Sequence, residues 1–168
     1  MGLWKRITNL VSKPEPAKVE KSPMDLSVGD ICEVSLVTYE VKGSVRNRAR
    51  NAVVLTIQDG NAIAYLHIEE RETVRYALYY PIDGGLENAS EVPSHIEMDD
   101  TDYYLEEQYD GTVISTGRTP ALQSGEQSVW QYQSDDRKLL RIEWQAGRFT
   151  LYEGAFVLNG DVYVIRAS

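Results

Sequence analysis

The chain has 168 residues, the length of one ordinary domain, and its 17 Lys and Arg against 26 Asp and Glu give a formal net charge of −9. That acidity argues against a nucleic-acid-binding body. The single cysteine, Cys32, excludes an internal disulfide and any multi-cysteine metal site. No apolar run approaches the ~20 residues of a membrane-spanning helix, and no secretory cleavage site follows the N-terminus, so we expect an intracellular protein.

The first predicted element is a short amphipathic helix over residues 1–12. At 100° per residue its apolar side chains fall within an arc of about 120°, and Lys5 and Arg6 lie outside that arc. The apolar side chains are Leu3, Trp4, Ile7, Leu10 and Val11. This separation is typical of a helix in a membrane interface, and docking on the β body or on a partner helix explains it nearly as well. We therefore expect these seven side chains to contact anionic lipid or a partner protein.

A tether rich in proline, lysine and glutamate follows over residues 13–23. Proline donates no backbone hydrogen bond and disfavours helix in the residue before it, so we expect extended chain here. Residues 1–23 carry a net charge of +3, which leaves −12 for residues 24–168, the predicted β domain. A tether of about 30 Å would hold that acidic body several screening lengths from an anionic surface.

From residue 26 onward the pattern is that of β-structure. Short runs of β-branched and aromatic residues recur, and several are separated by turns that contain glycine. The predicted strands are 31–36, 52–57, 62–68, 74–80, 112–115, 128–133, 139–145, 148–153 and 162–166. This spacing predicts an all-β fold, an antiparallel β-sandwich or barrel. The hairpin from Leu55 to Leu66 is similar to the one from Leu140 to Tyr152, so two related halves stay open as an alternative, although any two alternating hairpins share this much.

No catalytic motif is evident in the sequence. His67, His95 and Cys32 have no zinc-ligand spacing, and the nucleophile, phosphate-loop and dinucleotide motifs do not occur. His67 lies in an apolar strand, where a structural role is the more common one. We therefore expect a protein that is not an enzyme and needs no cofactor and no metal.

The stretch from Glu87 to Asp110 holds nine acids and no lysine or arginine. Its ordinary interpretation is a solvated loop and edge strand whose charges prevent edge-to-edge pairing. The alternative is a site for a cation such as a polyamine, because the tyrosines between the acids suit cation–π contacts. The candidate cation-binding residues are Asp99, Asp100, Asp102, Tyr103, Tyr104 and Glu106.

Arg46, Arg48 and Arg50 form the opposite feature, a basic stretch before the second predicted strand. At alternating positions in a strand extension they would share one face. We expect them to neutralise the acidic segment across the sheet, with phosphate binding as the less common alternative.

Several strand motifs in combination resemble the bacterial domain-of-unknown-function family 4178. They are LSVGD at 26–30, YEVKG at 39–43, VL at 54–55, YLHIE at 65–69, WQY at 130–132, LRIEW at 140–144 and YEG at 152–154. The resemblance covers residues 26–166 and implies no catalytic residues. Members often occur beside phage-shock-type membrane-stress proteins and polyamine-synthesis-like enzymes, which implies a bacterial envelope-stress setting. The chain departs from the family where many members have a tryptophan before the central strand, since Asn51 and Ala52 stand there.

These observations predict a non-catalytic binding or adaptor domain that acts at the cytoplasmic membrane face in a bacterial envelope-stress setting. The expected partner is a membrane-associated stress protein or an anionic lipid surface, and nucleic acid is not expected. The expected location is the cytoplasm, peripheral to the inner face of the membrane. The alternative function is a small-ligand-binding β domain that recognises a cationic amine such as a polyamine.

Overall fold

The computed structural model describes residues 21–86, 88–120 and 123–168, and eleven antiparallel strands make up most of them. The strands are β1 Ile31–Val34, β2 Val37–Asn47, β3 Ala52–Asp59, β4 Ala62–Glu70, β5 Val74–Ile82, β6 His95–Met98, β7 Thr101–Gly117, β8 Gly125–Gln133, β9 Lys138–Gln145, β10 Arg148–Val157 and β11 Val162–Arg166. Short 3₁₀ turns occur at Pro23–Asp25, Ala89–Glu91 and Asn159–Asp161. The predicted antiparallel all-β fold is confirmed, and the helix predicted over residues 1–12 lies outside the described residues. Within this part of the chain no helix is long and apolar enough to cross a membrane.

Eight of these strands close into a ring. The hydrogen-bonded order of the described strands is β11-β1-β2-β3-β4-β5-β10-β9-β8-β7-β6, and β2 pairs with β7 in addition. That extra pairing aligns Gly43 to Arg46 of β2 with Ile114 to Gly117 of β7. The ring β2-β3-β4-β5-β10-β9-β8-β7 is therefore a barrel, while β1 with β11 and β6 extend beyond its seam.

The strand order reads the same from β1 to β5 as from β6 to β10. Each set is a meander of five strands, and the two sets meet at the β5–β10 and β2–β7 pairings. In this arrangement the β3–β4 hairpin corresponds to β8–β9. Residues 55–66 belong to β3 and β4, and residues 140–152 belong to β9 and β10. The similarity predicted between these two hairpins is therefore displaced by one strand from the correspondence that the strand order gives. The error has a simple cause, because every hairpin of the barrel alternates in a similar way.

Two glycines permit the close approach of β2 and β7 at the seam. A Cβ on Gly43 would lie 1.9 Å from the carbonyl oxygen of Arg118. A Cβ on Gly117, whose φ is +72°, would lie 2.5 Å from the carbonyl oxygen of Lys42. Only glycine fits where two backbones come this close, so these two positions determine whether the barrel can close.

Apolar clusters cover the outside of the barrel. One cluster joins the outward side chains of β3 and β4 to β1, β11 and the 3₁₀ turn Pro23–Asp25, and its fully buried members include Leu55, Ile57, Leu66, Ile68 and Val34. A second cluster joins the outward side chains of β8 and β9 to β6 and the segment before it, and includes Trp130, Tyr132, Leu140, Ile142 and Tyr103. The strands thus bury apolar side chains on the face that points away from the barrel interior.

Candidate functional site

The interior of the barrel combines polar side chains with an apolar cluster that includes Tyr65, Tyr79, Leu139 and Tyr152. Residues directly opposite each other on neighbouring strands point to the same face of a sheet. Thr56 on β3 lies opposite Tyr65 on β4, which lies opposite Tyr79 on β5, so these three side chains share one face. Tyr152 and Arg141 are ladder partners on the opposite wall. Side chains from six of the eight strands meet around one small cavity of about 10 Å³, which identifies this face as the inside. That volume is room for about one water molecule, so the barrel is packed at this level.

A buried ion pair lies in this packed interior. Arg141 Nε donates to Glu143 Oε2 at 2.7 Å, and neither side chain is more than 8% exposed. An Arg141 guanidinium nitrogen also donates to the Tyr109 hydroxyl at 3.3 Å. Burial alone would lower the pKa of Arg141, but Tyr109 and Glu143 outweigh it and raise that pKa, so the guanidinium stays charged. Burial also raises the pKa of the Tyr79 hydroxyl to about 12, which keeps it neutral.

At one end the interior opens into a cavity of about 790 Å³, which we call the mouth. Its lining comes from β4, β5, β7, β8, β9 and β10 and from the turn between β4 and β5. Charged side chains at the mouth are Glu69, Arg71, Glu72, Arg75, Glu106 and Glu107. A volume of this size is in the range of small-molecule sites, and the mouth is more polar than most of them.

An ion network spans the mouth from β4 to β7. Arg50 lies 3.0 Å from Glu69 and 2.7 Å from Glu107, and its guanidinium lies 3.7 Å above the Tyr109 ring. Arg71 lies 3.2 Å from Glu107 and 3.5 Å from Glu69. Burial would raise the pKa of Glu107, but the contacts from Arg50 and Arg71 outweigh it and lower that pKa. Both glutamates of the network are therefore neutralised by arginine.

This network bears on the prediction for the three arginines. Arg50 does neutralise an acid of the acidic segment, Glu107, as expected. The expectation of one shared face is wrong, because β2 ends at Asn47 and Arg46 donates to the Met24 carbonyl at 2.8 Å.

Two carboxylates and one guanidinium at the mouth keep their charge uncompensated. Within the described residues Glu72, Glu106 and Arg75 form no ion pair. The β7–β8 register shifts between Leu105 and Glu107, so Glu106 is the extra residue of a β-bulge. A bulge redirects the side chain at that position, and Glu106 and Glu107 both line the mouth as a result.

His67 lies where the open mouth meets the packed interior. It is 7% exposed, lines the mouth, and forms no hydrogen bond with any described residue. Its ring contacts Tyr79 edge-on, with the centroids 6.4 Å apart. Burial, followed by the positive charges of Arg141 and Arg50, lowers the pKa of His67 well below 6.5. The ring is therefore neutral and offers one donor and one acceptor that the described protein does not use.

The structure separates the six predicted cation-binding residues. Asp99 and Asp100 have φ values of 48° and 61° and form the β6–β7 turn. Asp102 Oδ1 lies 2.8 Å from His95 Nε2, and the Tyr104 ring stacks on that histidine.

The remaining members of that set point elsewhere. Tyr103 is 4% exposed and packs in the apolar cluster outside the barrel. Asp99 and Tyr103 both line a shallow groove of about 490 Å³ beside Glu153 and Lys138. Only Glu106 reaches the mouth. Within the described residues no group of three His, Cys, Asp or Glu could hold a metal ion.

The predicted membrane or partner contacts, Leu3, Trp4, Lys5, Arg6, Ile7, Leu10 and Val11, lie outside the described residues. The end of the predicted tether is fixed to the body. Lys21 Nζ lies 3.1 Å from Asp30 Oδ2, and Met24 is 6% exposed. The last residues of the predicted tether thus contact the β domain through Lys21 and through the 3₁₀ turn that begins at Pro23.

Sequence reasoning missed Arg141 and Glu143 and gave His67 a structural role. A signal for the first two was present. Two charged residues alternate with apolar ones in the strand Leu140 to Trp144, and such a strand has one apolar and one polar face. In a barrel with apolar clusters outside, the polar face points inward.

A closed antiparallel β-barrel with a polar interior and one open, charged end is the class of domain that these observations define. The family model "Domain of unknown function (DUF4178)" matches residues 27–159, and the chain belongs to this family. The match contains all eight strands of the ring, and it confirms the resemblance found in the strand motifs. No curated protein and no solved structure matches the chain.

Proposed function

We propose that the chain is a non-catalytic binding domain that takes a small organic molecule with a cationic amine at the mouth of its barrel. One observation carries this proposal: the polar interior opens at one end into a cavity of about 790 Å³ with uncompensated carboxylates on its rim. An eight-stranded barrel is wide enough to hold one small ligand.

The chemistry of the rim favours an amine. Glu106 and Glu72 are the carboxylates of the mouth that no described arginine neutralises. No described nucleophile or carboxylate is hydrogen-bonded to His67, so the arrangement supports binding and not catalysis.

Calorimetry on the full chain with spermidine at about 0.15 M salt tests the proposal, because diffuse attraction is weak at that ionic strength. We expect binding that Glu106→Gln weakens at least about tenfold, which is the effect of losing one charge-assisted contact. Glu97→Gln is the matched control, an exposed glutamate on β6 for which no described partner exists, and should bind as the unmodified chain does.

A second variant separates the mouth from the β6–β7 turn. Replacement of Asp99, Asp100 and Asp102 by asparagine should leave spermidine binding unchanged if the amine occupies the mouth. Loss of binding in this triple variant, with Glu106→Gln unaffected, would move the amine to the turn. No heat with the unmodified chain would overturn the proposal.

We also propose that residues 1–12 attach the domain to the cytoplasmic membrane face or to a membrane-associated stress protein in a bacterium. Three features of the sequence support this proposal: the amphipathic pattern of residues 2–12, the contrast between a net charge of +3 over residues 1–23 and −12 over residues 24–168, and the family resemblance. Flotation with anionic liposomes should recover the full chain, and Trp4→Glu or deletion of residues 2–12 should leave it in solution. If the full chain never floats, or the deletion floats equally well, attachment to lipid is wrong.

A further inference from the structure

We propose that the ligand of the mouth is a zwitterion, whose ammonium group contacts Glu106 and whose anionic group contacts Arg75 and accepts a hydrogen bond from His67. This inference rests on the proposed function and narrows the ligand from any amine to an amine that also carries an acid group.

Arg75 supplies the positive charge that a simple amine would leave unused. It lies directly opposite Glu69 in the β4–β5 ladder, a position where an ion pair would normally form. Glu69 is instead occupied by Arg50 at 3.0 Å and Arg71 at 3.5 Å. Arg75 lines the mouth, 5.8 Å from the centroid of the Phe156 ring, and none of the described acids pairs with it. Its guanidinium is available to an acid group of a ligand.

His67 lies beside Arg75 on the same wall of the barrel. Its ladder partner is Ala77, which is two residues from Arg75 on β5 and so on the same face. His67, Ala77 and Arg75 all line the mouth. Burial, with Arg141 and Arg50, keeps the imidazole neutral by lowering its pKa, so one ring N–H can donate to an acid group.

Glu106 lies on the far wall from these two residues. In the ring of eight strands, β5 and β7 are separated by four steps in either direction, so they stand diametrically opposite. An ammonium group at Glu106 and an acid group at Arg75 must therefore be joined by a spacer across the mouth. A simple amine satisfies only one side, while a zwitterion with separated charges satisfies both.

Three probes of equal chain length test this on the full chain by calorimetry: 5-aminopentanoate, pentylamine and pentanoate. We expect 5-aminopentanoate to bind at least about tenfold more tightly than either singly charged probe. Arg75→Gln should weaken 5-aminopentanoate about tenfold and leave pentylamine unchanged, whereas Glu106→Gln should weaken both amines. Arg75→Lys keeps the charge and should retain most of the binding.

Arg148→Gln is the matched control, an exposed arginine on β10 with no described partner, and should change none of these affinities. Thermal unfolding of each variant shows whether it is folded. If pentylamine binds as tightly as 5-aminopentanoate and Glu106→Gln weakens both, the amine proposal holds and the zwitterion inference is overturned. Equal weakening of pentylamine by Arg75→Gln, or no binding of any of the three probes, also overturns the inference, and the spermidine experiment decides the proposed function separately.

Discussion

Asp30 is a buried carboxylate that binds Lys21, which precedes the strands, and Ser168, which follows them. Its side chain is 1% exposed. Oδ2 accepts from the Ser27 amide at 2.8 Å and from Lys21 Nζ at 3.1 Å, and Oδ1 accepts from the Ser168 amide at 3.0 Å. Burial alone would raise the pKa of this carboxyl, but the hydrogen bonds from Ser27, Ser168 and Lys21 outweigh it and lower the pKa from 3.8 to about 2. The folded state therefore stabilises the ionised form of Asp30 relative to the unfolded chain.

That difference in pKa has a consequence for stability. A lowering of about two pKa units corresponds to about 2.5 kcal/mol of stabilisation at neutral pH. Because solvent reaches Lys21, whose side chain is 25% exposed, we expect about 2 kcal/mol. The folded pKa is the lower one, so this contribution is complete above the unfolded value of about 3.8. It is lost as pH falls towards 2, and about half remains at about pH 3.

Thermal unfolding of Asp30→Asn against the unmodified chain measures this contribution. We expect Tm to fall by about 4–8 °C near pH 7, since 1 kcal/mol corresponds to about 2–4 °C at this chain length. The gap in unfolding free energy should shrink by about half at about pH 3. Asp83→Asn is the control, because Asp83 is exposed and no described residue pairs with it. A Tm within about 1 °C of the unmodified chain, or a gap that does not change with pH, would refute the reasoning.

Three further predictions concern the seam, the interior and the thiol. Gly43→Ala should lower the free energy of unfolding, measured in urea, by about 2–4 kcal/mol, because its Cβ would lie 1.9 Å from the Arg118 carbonyl oxygen. Gly85→Ala is the control, because open space surrounds Gly85, and it should change this free energy by less than about 0.5 kcal/mol. Equal effects of the two substitutions would contradict the assignment of Gly43 to the seam. Glu143→Gln should lower the free energy of unfolding by about 3–5 kcal/mol, because it leaves Arg141 charged and buried without its partner. Replacing both residues by leucine should restore part of this stability. A double variant that is no more stable than the single one would argue against the buried pair. Burial raises the pKa of Cys32 to about 11, so a thiol reagent at about pH 8 should modify it only in urea, and rapid labelling of the folded protein would contradict its burial.

The strands that the sequence predicted best are those with one strongly apolar face. β3, β4, β9 and β11 were all found, because their outward side chains, such as Leu55 and Leu66, belong to the apolar clusters. β1 was predicted two residues too long. Ser35 and Leu36 have φ values of 48° and 70° and form the turn to β2, a conformation that an apolar pattern does not indicate.

The first part of β7 and all of β2 were missed. In β2 the apolar residues Val37, Tyr39, Val41 and Val45 do alternate with polar ones, so that strand was detectable from the sequence. β7 carries Glu107 and Tyr109 towards the polar interior and exposed acids such as Asp102 and Asp110 elsewhere, so its sequence has the composition of a loop. The prediction of a solvated edge strand fits more than β6. β7 pairs with β6 over residues 101–104 and with β8 from Tyr104 to Val113, so most of its acidic first part has a strand on one side only. Hydrophobic alternation detects a strand by its apolar face, and a strand facing a polar interior offers less of one.

The site was harder to predict than the fold because its members are far apart in the sequence. Glu106 was among the predicted cation-binding residues, but the tyrosines beside it in the sequence do not accompany it to the mouth. Alternation sends Tyr103 to the opposite side of the sheet, and a bulge determines the direction of Glu106. Arg75 and His67 join it only because the ring closes at β2–β7, and a pairing between distant strands is not encoded by local pattern.

Stability and binding are carried by opposite faces of the same strands. In β4 the outward residues Leu66 and Ile68 are fully buried in an apolar cluster, while the inward residues His67 and Glu69 line the mouth. Because successive side chains point to opposite faces, the outward cluster holds the backbone that positions the inward groups. Leucine or isoleucine changes on the outside should therefore act through the folded population, whereas changes at the mouth can alter ligand preference in a barrel that keeps its stability. Inside the ring, the apolar cluster around Tyr65, Tyr79 and Tyr152 packs next to the charged, open mouth, so the barrel has apolar packing on both faces of its wall.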